Sequence, residues 1–123
     1  MAIVTGASRG IGLGIAQRLV AEGARVVVTA RKQGPLDEAV AALGGAEYAA
    51  GLAGNAADPA HQDEAIALAR SRFGGLDYLV NNTGINPVYG PMLDVEADTA
   101  RKILDTNVVT AFSWVQKTVR SGL

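Results

Sequence analysis

The sequence predicts a doubly wound α/β fold, in which helices cover both faces of a parallel sheet. Short apolar runs that suit strands alternate with segments of about 10–15 residues that suit helices. The first run ends at Gly6, and a loop with Gly10 and Gly12 leads from it into an amphipathic segment. The second run, residues 25–30, is apolar almost throughout, as expected of a strand buried on both faces. Right-handed crossovers then predict the strand order 3-2-1-4.

Each further element has its own local signal. Ile11, Ile15 and Leu19 recur at i, i+4 and i+8 and predict an apolar face on the first helix. Asp58 and Pro59 have the pattern of an N-cap followed by a first helical residue. The other predicted elements are strands over residues 25–30, 47–52 and 76–80, a short helix around residues 36–43, a helix from Pro59 to about Phe73, and a long helix from about Val95 to Val119.

Length and composition limit the possible functions. The 123 residues are enough for one domain, residues 1–123, and 49% of them are hydrophobic. Eleven basic and twelve acidic residues nearly cancel, so we expect no nucleic-acid partner. Because there is no long apolar run and no signal-peptide pattern, we expect a cytoplasmic protein without a membrane partner. The chain has no cysteine and one histidine, His61, so we expect no metal site and place His61 on the surface.

The first loop has the chemistry of an anion site. Its first glycine permits a tight turn, and the later ones remove Cβ atoms where a pyrophosphate or the preceding strand comes close. The following helix presents free N–H groups and the positive end of its dipole to the anion. The G-K-[ST] sequence of a phosphate-loop nucleotidase is absent. The residues expected to contact a cofactor here are Gly6, Ser8, Arg9, Gly10, Ile11 and Gly12.

The pattern T-G-x-x-x-G-I-G at residues 5–12 resembles the cofactor loop of the short-chain dehydrogenase/reductase family. The resemblance implies a Rossmann-like fold, a nicotinamide cofactor and a small-molecule carbonyl or alcohol substrate. The S-R-G-I-G sequence within the loop is similar to that of 3-oxoacyl-[acyl-carrier-protein] reductases, which act on a 3-oxoacyl thioester. A Gly-rich turn that binds nothing is the alternative interpretation of the loop.

The end of the second strand bears on the choice of cofactor. Proteins of this fold that prefer NAD carry an acid there, which binds the ribose 2′-hydroxyl. The sequence instead reads Thr29-Ala30-Arg31-Lys32, without an acid. Arg31 can bind a 2′-phosphate bidentately, and Arg9 can approach it from the glycine loop. We therefore expect NADP rather than NAD, the alternative being that both arginines are solvated surface charges.

Three further segments can be compared with the family residue by residue. Asn81 to Gly84 is similar to its N-N-A-G motif, which implies that Asn82, Thr83 and Gly84 line the cofactor ribose, with Thr83 in place of alanine. Asn55 and Ala56 stand where the family has an Asp-Val pair that contacts adenine. Asn107 resembles the catalytic asparagine that holds a water in the proton relay. An ordinary Asn-Gly turn and a solvent-facing asparagine are the alternatives for the first and last of these.

The resemblance stops before the catalytic acid. The family uses a tyrosine in Tyr-x-x-x-Lys, and none of the three tyrosines is followed by lysine at that spacing. Residues 76–80 also predict an apolar edge strand without protective Lys or Pro, so we expect the chain to be the N-terminal part of a longer protein. The alternative is a non-catalytic dinucleotide-binding module. A methyltransferase or a nucleoside-sugar epimerase is disfavoured by the S-R-G-I-G loop and by Arg31.

The long helix carries more apolar residues than one core-facing stripe needs. We expect a homodimer or homotetramer through residues 95–119, in line with helix pairing in the resembling family. Trp114 and Phe112 are predicted to be packing residues, and the loop 86–91 is predicted to line one side of a substrate pocket. The surplus apolar residues are Val108, Val109, Phe112, Val115 and Val119.

Overall fold

A computed structural model describes residues 1–85 and 90–123. The strands are β1 (Ala2–Val4), β2 (Val26–Ala30), β3 (Ala49–Ala53) and β4 (Tyr78–Val80). The helices are α1 (Gly10–Ala21), α2 (Gln33–Ala42), α3 (Pro59–Phe73), α4 (Ala97–Leu104) and α5 (Thr110–Arg120). A 3₁₀ turn covers Met92–Asp94, and a π-helical turn, Asp105–Val109, joins α4 to α5. The part of the loop 86–91 that lies at residues 86–89 is outside the described residues.

The described strands form one parallel sheet in the order β3-β2-β1-β4, which confirms the predicted fold class and strand order. Side chains alternate between its two faces. Val26 and Val28 pack in one core with Leu36 of α2, whereas Val27 packs in the other with Trp114 of α5. The fold is therefore three-layered, with α1 and α2 on one face and α3 and α5 on the other.

The strands are shorter than predicted, and the pairing explains why. Ala2 pairs with Val26 on one side and with Tyr78 on the other, so the central ladder begins only at Ala2. The amides of Asp77 and Tyr78 both donate to the Met1 carbonyl, which leaves residues 76 and 77 before the start of β4. The third strand covers residues 49–53 rather than 47–52, and the long helix begins at Ala97 rather than Val95.

Helix α3 begins and ends where its sequence signals predict. The Asp58 side chain accepts a hydrogen bond from the Ala60 amide at 3.0 Å, and Pro59 is the first helical residue. Gly74 ends the helix in the left-handed region, with φ of 83°, which glycine adopts without strain. The residues at each end of α3 were therefore sufficient to predict where the helix begins and ends.

Two predicted packing positions are wrong. Ile11 is 78% exposed, because the face of α1 that meets the sheet passes through Gly12 and Ala16. Phe112 is 60% exposed, since it lies on the face of α5 opposite Trp114, which is 1% exposed. Phe112 and Trp114 are two residues apart, so they lie on opposite faces of the helix and could not both face one core. For Ile11, the spacing to Ile15 and Leu19 predicts an apolar stripe but not the rotation of that stripe relative to the sheet.

His61 is buried, which corrects its predicted surface position. The side chain is 5% exposed, and its ring meets Trp114 edge to face at 6.1 Å between centroids. A Cβ atom at position 54 would overlap the imidazole, so Gly54 gives His61 the space it occupies. Among the described residues, no group hydrogen-bonds the buried Nε2 atom. Burial lowers the pKa of His61 below 6.5, against the opposing effect of the Glu64 and Asp58 carboxylates.

In residues 1–85 and 90–123, no helix combines the length and the hydropathy of a bilayer-crossing segment.

The burial of His61 predicts a dependence of stability on pH. The unfolded chain binds a proton at His61 more readily than the folded chain, because burial lowers the pKa only in the folded state. The stabilising contribution of neutral His61 to the free energy of unfolding should be fully present above pH 6.5. It should be lost as the pH drops through 6.5 towards the lower folded-state pKa. Urea unfolding at pH 7.5, 6.5 and 5.5 measures this dependence, and His61→Gln should weaken it. A single imidazole NMR signal that titrates at or above pH 6.5 would contradict the prediction.

Candidate functional site

The candidate site lies at the edge of the sheet where the strands end. Because all four described strands are parallel, their carboxyl ends share this edge, where open α/β sheets bind ligands. Backbone hydrogen bonds join the loops there: the Ala7 amide donates to the Thr29 carbonyl at 3.0 Å, and the Gly54 amide donates to the Ala30 carbonyl at 3.0 Å. The loops after β1 and β3 are therefore both anchored to the end of β2, and with the loop after β2 they form the rim of the sheet.

The turn between β1 and α1 offers backbone donors to an anion. Gly6 and Gly10 both have φ of 61°, a backbone conformation that residues other than glycine rarely adopt. Arg9 is the N-cap residue of α1, and within the described residues no side chain caps the helix. Its first N–H groups and the positive end of its dipole therefore face the rim. Ser8 is half-buried in the turn, while the side chain of Ile11 is exposed beside it.

Gly12 brings helix α1 into close contact with two loops. A Cβ atom at this position would lie 2.5 Å from the Gly6 carbonyl oxygen and 2.5 Å from Nδ2 of Asn82, far closer than atoms pack. Position 14, on the same helix, has no described atom within 4 Å of such a Cβ. Gly12 is therefore required by packing, and Gly14 is not.

Thr5 joins the glycine turn to the loop after β4. Its buried hydroxyl oxygen accepts hydrogen bonds from the amides of Asn82 at 3.0 Å and Thr83 at 3.2 Å. The Asn82 side chain donates to the Gly6 carbonyl at 2.9 Å, and a Cβ atom at Gly6 would lie 3.2 Å from Thr83 Cα. Thr5 is the first residue of the T-G-x-x-x-G-I-G pattern but is not among the predicted cofactor contacts. The available signal was a hydroxyl at the end of a buried strand, where it needs partners.

Arg31 follows β2 on the same rim as the glycine turn. Both Arg31 and Arg9 are exposed, and neither forms a salt bridge with a carboxylate among the described residues. The two residues that follow β2 are Arg31 and Lys32, so no acidic side chain stands directly after this strand. The rim therefore carries exposed cations in the glycine turn itself and directly after β2.

The loop after β3 forms a closed turn at Asn55 and Ala56. The Asn55 side-chain oxygen accepts from the Ala57 amide at 2.9 Å, and the Asn55 carbonyl accepts from the Asp58 amide at 3.0 Å. The Ala56 carbonyl accepts from two side chains, Nε2 of Gln62 at 2.9 Å and Nε1 of Trp114 at 3.1 Å. Sequence reasoning missed the role of Gln62, which no motif marks.

Asn107 fastens the π-helical turn to the loop after β4. Its Oδ1 accepts from the Ile85 amide at 2.7 Å, and its Nδ2 donates to the Ile85 carbonyl at 2.9 Å. A Cβ atom at the neighbouring Gly84 would lie 3.5 Å from the same Oδ1. The site thus joins Asn107 to Gly84 and Ile85, and joins Gly6 to Asn82 and Thr83. Asn107 is on the exposed side of the helix, yet both polar atoms of its side-chain amide have partners.

The residues fit the pyrophosphate of a dinucleotide. The fit is supported by an uncapped helix N-terminus, two glycines with positive φ, and open space beside Gly10, where no described atom lies within 4 Å of a Cβ position. Fold and site together define a dinucleotide-binding α/β protein.

The chain belongs to the short-chain dehydrogenase/reductase family, a family of oxidoreductases that use a nicotinamide cofactor. The short chain dehydrogenase family model matches residues 1–121. The dehydrogenase/reductase SDR family member 4 of Caenorhabditis elegans is 42% identical over 114 residues, covering 91% of this chain and 44% of that protein. The human protein of the same description is 39% identical over 109 residues, covering 88% of this chain and 39% of that protein.

A solved structure shares the fold. It is a short-chain dehydrogenase/reductase from Brucella melitensis, described as a glucose/ribitol dehydrogenase, with a TM-score of 0.89 and 30% identity. The match covers 97% of this chain and 50% of that chain. The chain thus spans less than half the length of these two curated relatives and half of the solved chain.

The contacts around Gly12 predict a contrast between two glycines of one helix. Gly12→Ala should lower the free energy of unfolding by about 1–3 kcal/mol, because the new methyl group overlaps the Gly6 carbonyl and Asn82. Gly14→Ala, the matched control, should leave it unchanged or raise it by up to about 1 kcal/mol, since alanine favours the helix and the space is open. Urea unfolding followed by circular dichroism measures both, and equal effects would contradict this account of the turn.

Proposed function

We propose that the chain is the cofactor-binding part of an NADP(H)-dependent oxidoreductase that interconverts a carbonyl compound and an alcohol. The observation that carries the proposal is the uncapped N-terminus of α1 behind a turn with two positive-φ glycines, at the carboxyl edge of the sheet. In this proposal the turn from Gly6 to Gly12 binds the pyrophosphate. Asn82, Thr83 and Gly84 line the ribose on the nicotinamide side.

The preference for NADP over NAD rests on the charges along the rim. Arg31 stands where an acid would bind an unmodified ribose, and Arg9 occupies the N-cap position of the neighbouring helix α1 without capping it by a side-chain hydrogen bond. A 2′-phosphate between these residues would meet two guanidinium groups, whose planar donors suit its oxygens. The ribose that carries this phosphate also carries adenine. Because β3 lies beyond β2 in the sheet, the base would fall towards Asn55 and Ala56 at the end of β3.

The cofactor, when bound, supplies or accepts the hydride, and the residues of this chain hold it in place. Asn107 fixes the loop after β4 through its two bonds to Ile85. A relay water would then bind to the second lone pair of Oδ1 or to a backbone carbonyl of the π-helical turn. Tyr-x-x-x-Lys does not occur in the 123 residues, and we propose no proton donor among them.

The substrate class is a carbonyl or alcohol compound, and a 3-oxoacyl thioester is the narrower proposal that the S-R-G-I-G loop supports. The names of the relatives described above do not mention a 3-oxoacyl thioester: one is a dehydrogenase/reductase, and the other is described as a glucose/ribitol dehydrogenase. A second candidate function is a non-catalytic dinucleotide-binding module, which the anion-binding turn would serve equally well. NADPH oxidation with a 3-oxoacyl thioester by the natural protein separates the two candidates, since only the enzyme shows turnover.

We also propose self-association through the outer face of the long helix. Apolar side chains on this face are exposed on successive turns, and together they form a contiguous stripe. The symmetry of most soluble oligomers favours a homodimer or homotetramer built on such a stripe. The exposed residues are Leu104, Val108, Val109, Phe112, Val115 and Val119.

The cofactor proposal predicts a selective effect of Arg31→Ala. The wild-type protein should bind NADPH more tightly than NADH, and the variant should raise the Kd for NADPH about tenfold, because a charge-assisted contact is lost. The Kd for NADH should change little. Arg18→Ala is the control, since Arg18 is an exposed arginine of α1 that pairs with Glu22. Titration by cofactor fluorescence measures these constants, and equal NADPH and NADH affinities in the wild type would refute the 2′-phosphate role.

The self-association proposal predicts that Phe112→Asp produces a monomer. The introduced charge would be buried in the interface without a partner, whereas Gln17→Asp places the same charge on the exposed face of α1 and should leave the assembly intact. Sedimentation velocity gives the oligomeric state, and circular dichroism checks that both variants fold. A wild-type protein that sediments as a monomer would overturn the proposal.

A further inference from the structure

Two side chains from different helices hold one backbone oxygen of the loop after β3. Nε2 of Gln62 reaches the Ala56 carbonyl from α3, at 2.9 Å, and Nε1 of Trp114 reaches it from α5, at 3.1 Å. A carbonyl oxygen has two lone pairs, so these two donors use both. The carbonyl is therefore fixed in direction by two separate elements of the fold.

The two donors are themselves held rigidly. Gln62 is 0% exposed, and its other amide atom, Oε1, accepts a hydrogen bond from the Ser113 hydroxyl at 2.9 Å. The indole of Trp114 packs against the edge of His61 in the same core. A glutamine buried this deeply is costly unless its amide is satisfied, and here both amide atoms have partners. One of those partners is the backbone at the rim of the candidate site.

The turn that they hold is closed on its other side by its own atoms. Asn55 accepts from the Ala57 amide through its side chain and from the Asp58 amide through its carbonyl. With the Ala56 carbonyl bonded inwards, the exposed Asn55 side chain keeps its Nδ2 hydrogens as donors at the rim. A purine base at this place would meet a turn whose geometry does not depend on the ligand.

We propose that Gln62 and Trp114 are positioning residues for the adenine base of the cofactor. They hold the Ala56 carbonyl, and through it they set the turn that contacts the base, although neither residue touches the cofactor. The inference rests on the proposed function, because it takes the ligand at the rim to be an adenine dinucleotide. It goes further by assigning recognition of the base to a buried hydrogen-bond cluster between α3 and α5.

The test compares NADPH with its hypoxanthine analogue, which differs only at the base. The ratio of the two Kd values reports recognition of the base and cancels effects common to both ligands. The Asn55 Nδ2 donor can pair with N1 of adenine, whereas the corresponding N1 of hypoxanthine carries a proton and cannot accept. The wild type should therefore bind NADPH about three- to tenfold more tightly than the analogue, as one neutral hydrogen bond allows. Gln62→Met and Trp114→Phe remove one donor each, and both should reduce the ratio to less than twofold.

Ile66→Val is the matched control. Ile66 is buried on the same helix as Gln62, so the variant weakens the same core without removing a donor to Ala56. It should keep the wild-type ratio. If either donor variant fails to fold, Ser113→Ala decides the question. Ser113 is half-buried, and its replacement removes the hydrogen bond that holds Oε1 of Gln62, so the ratio should fall as well.

Each outcome separates the inference from the function on which it rests. A reduced ratio in the donor variants with an unchanged ratio in Ile66→Val supports positioning. The same ratio in all variants, or a wild-type ratio of one with tight NADPH binding, overturns the inference and leaves the proposed function in place. A wild-type protein that binds neither dinucleotide overturns the proposed function, and the inference fails with it.

Discussion

The contact between the first helix and the two loops beside it determines the rest of the rim. Gly12 has no room for a side chain, because the Gly6 carbonyl and the Asn82 amide lie where a Cβ would be. The Asn82 side chain donates to the Gly6 carbonyl, and the Thr5 hydroxyl accepts from the backbone amides of Asn82 and Thr83. Helix, turn and loop therefore have one arrangement, and it leaves the start of α1 open to an anion.

The cores on the two faces of the sheet differ in composition. On the side of α1 and α2 the core is aliphatic, with valine, leucine and alanine side chains. On the side of α3 and α5 it includes buried polar groups, among them Gln62, His61 and Thr118. Polar groups inside a core lose hydration, so they are tolerated where they hold something in place. Here Gln62 holds a backbone oxygen at the rim, while His61 fills the space beside Gly54.

Much of the fold could be predicted because its signals are local. The glycine turn, the Asp58 cap and the continuous apolar run of β2 each depend on neighbours in sequence, and the parallel order follows from the handedness of crossovers. The placement of Arg31 and Asn55 after their strands also follows from that order. The role of Thr5 depends on partners 77 and 78 residues away, and Gln62 needs Ser113, 51 residues away, as well as the nearby Ala56 carbonyl. No local pattern reveals these contacts. Ile11, Phe112 and His61 were misplaced because an apolar or polar type does not tell which side of a helix meets the core.

The π-helical turn at residues 105–109 has a consequence for how the chain can change in length. Such a turn carries one residue more than a regular helical turn, and turns of this kind are frequent at functional sites. A deletion of one residue there would let an ordinary helix run through, with α4 and α5 keeping their relative rotation. The clamp between Asn107 and Ile85 would then be the main loss. A deletion of a single codon is thus better accommodated at this turn than within α5, where it would turn Trp114 away from the loop that it supports.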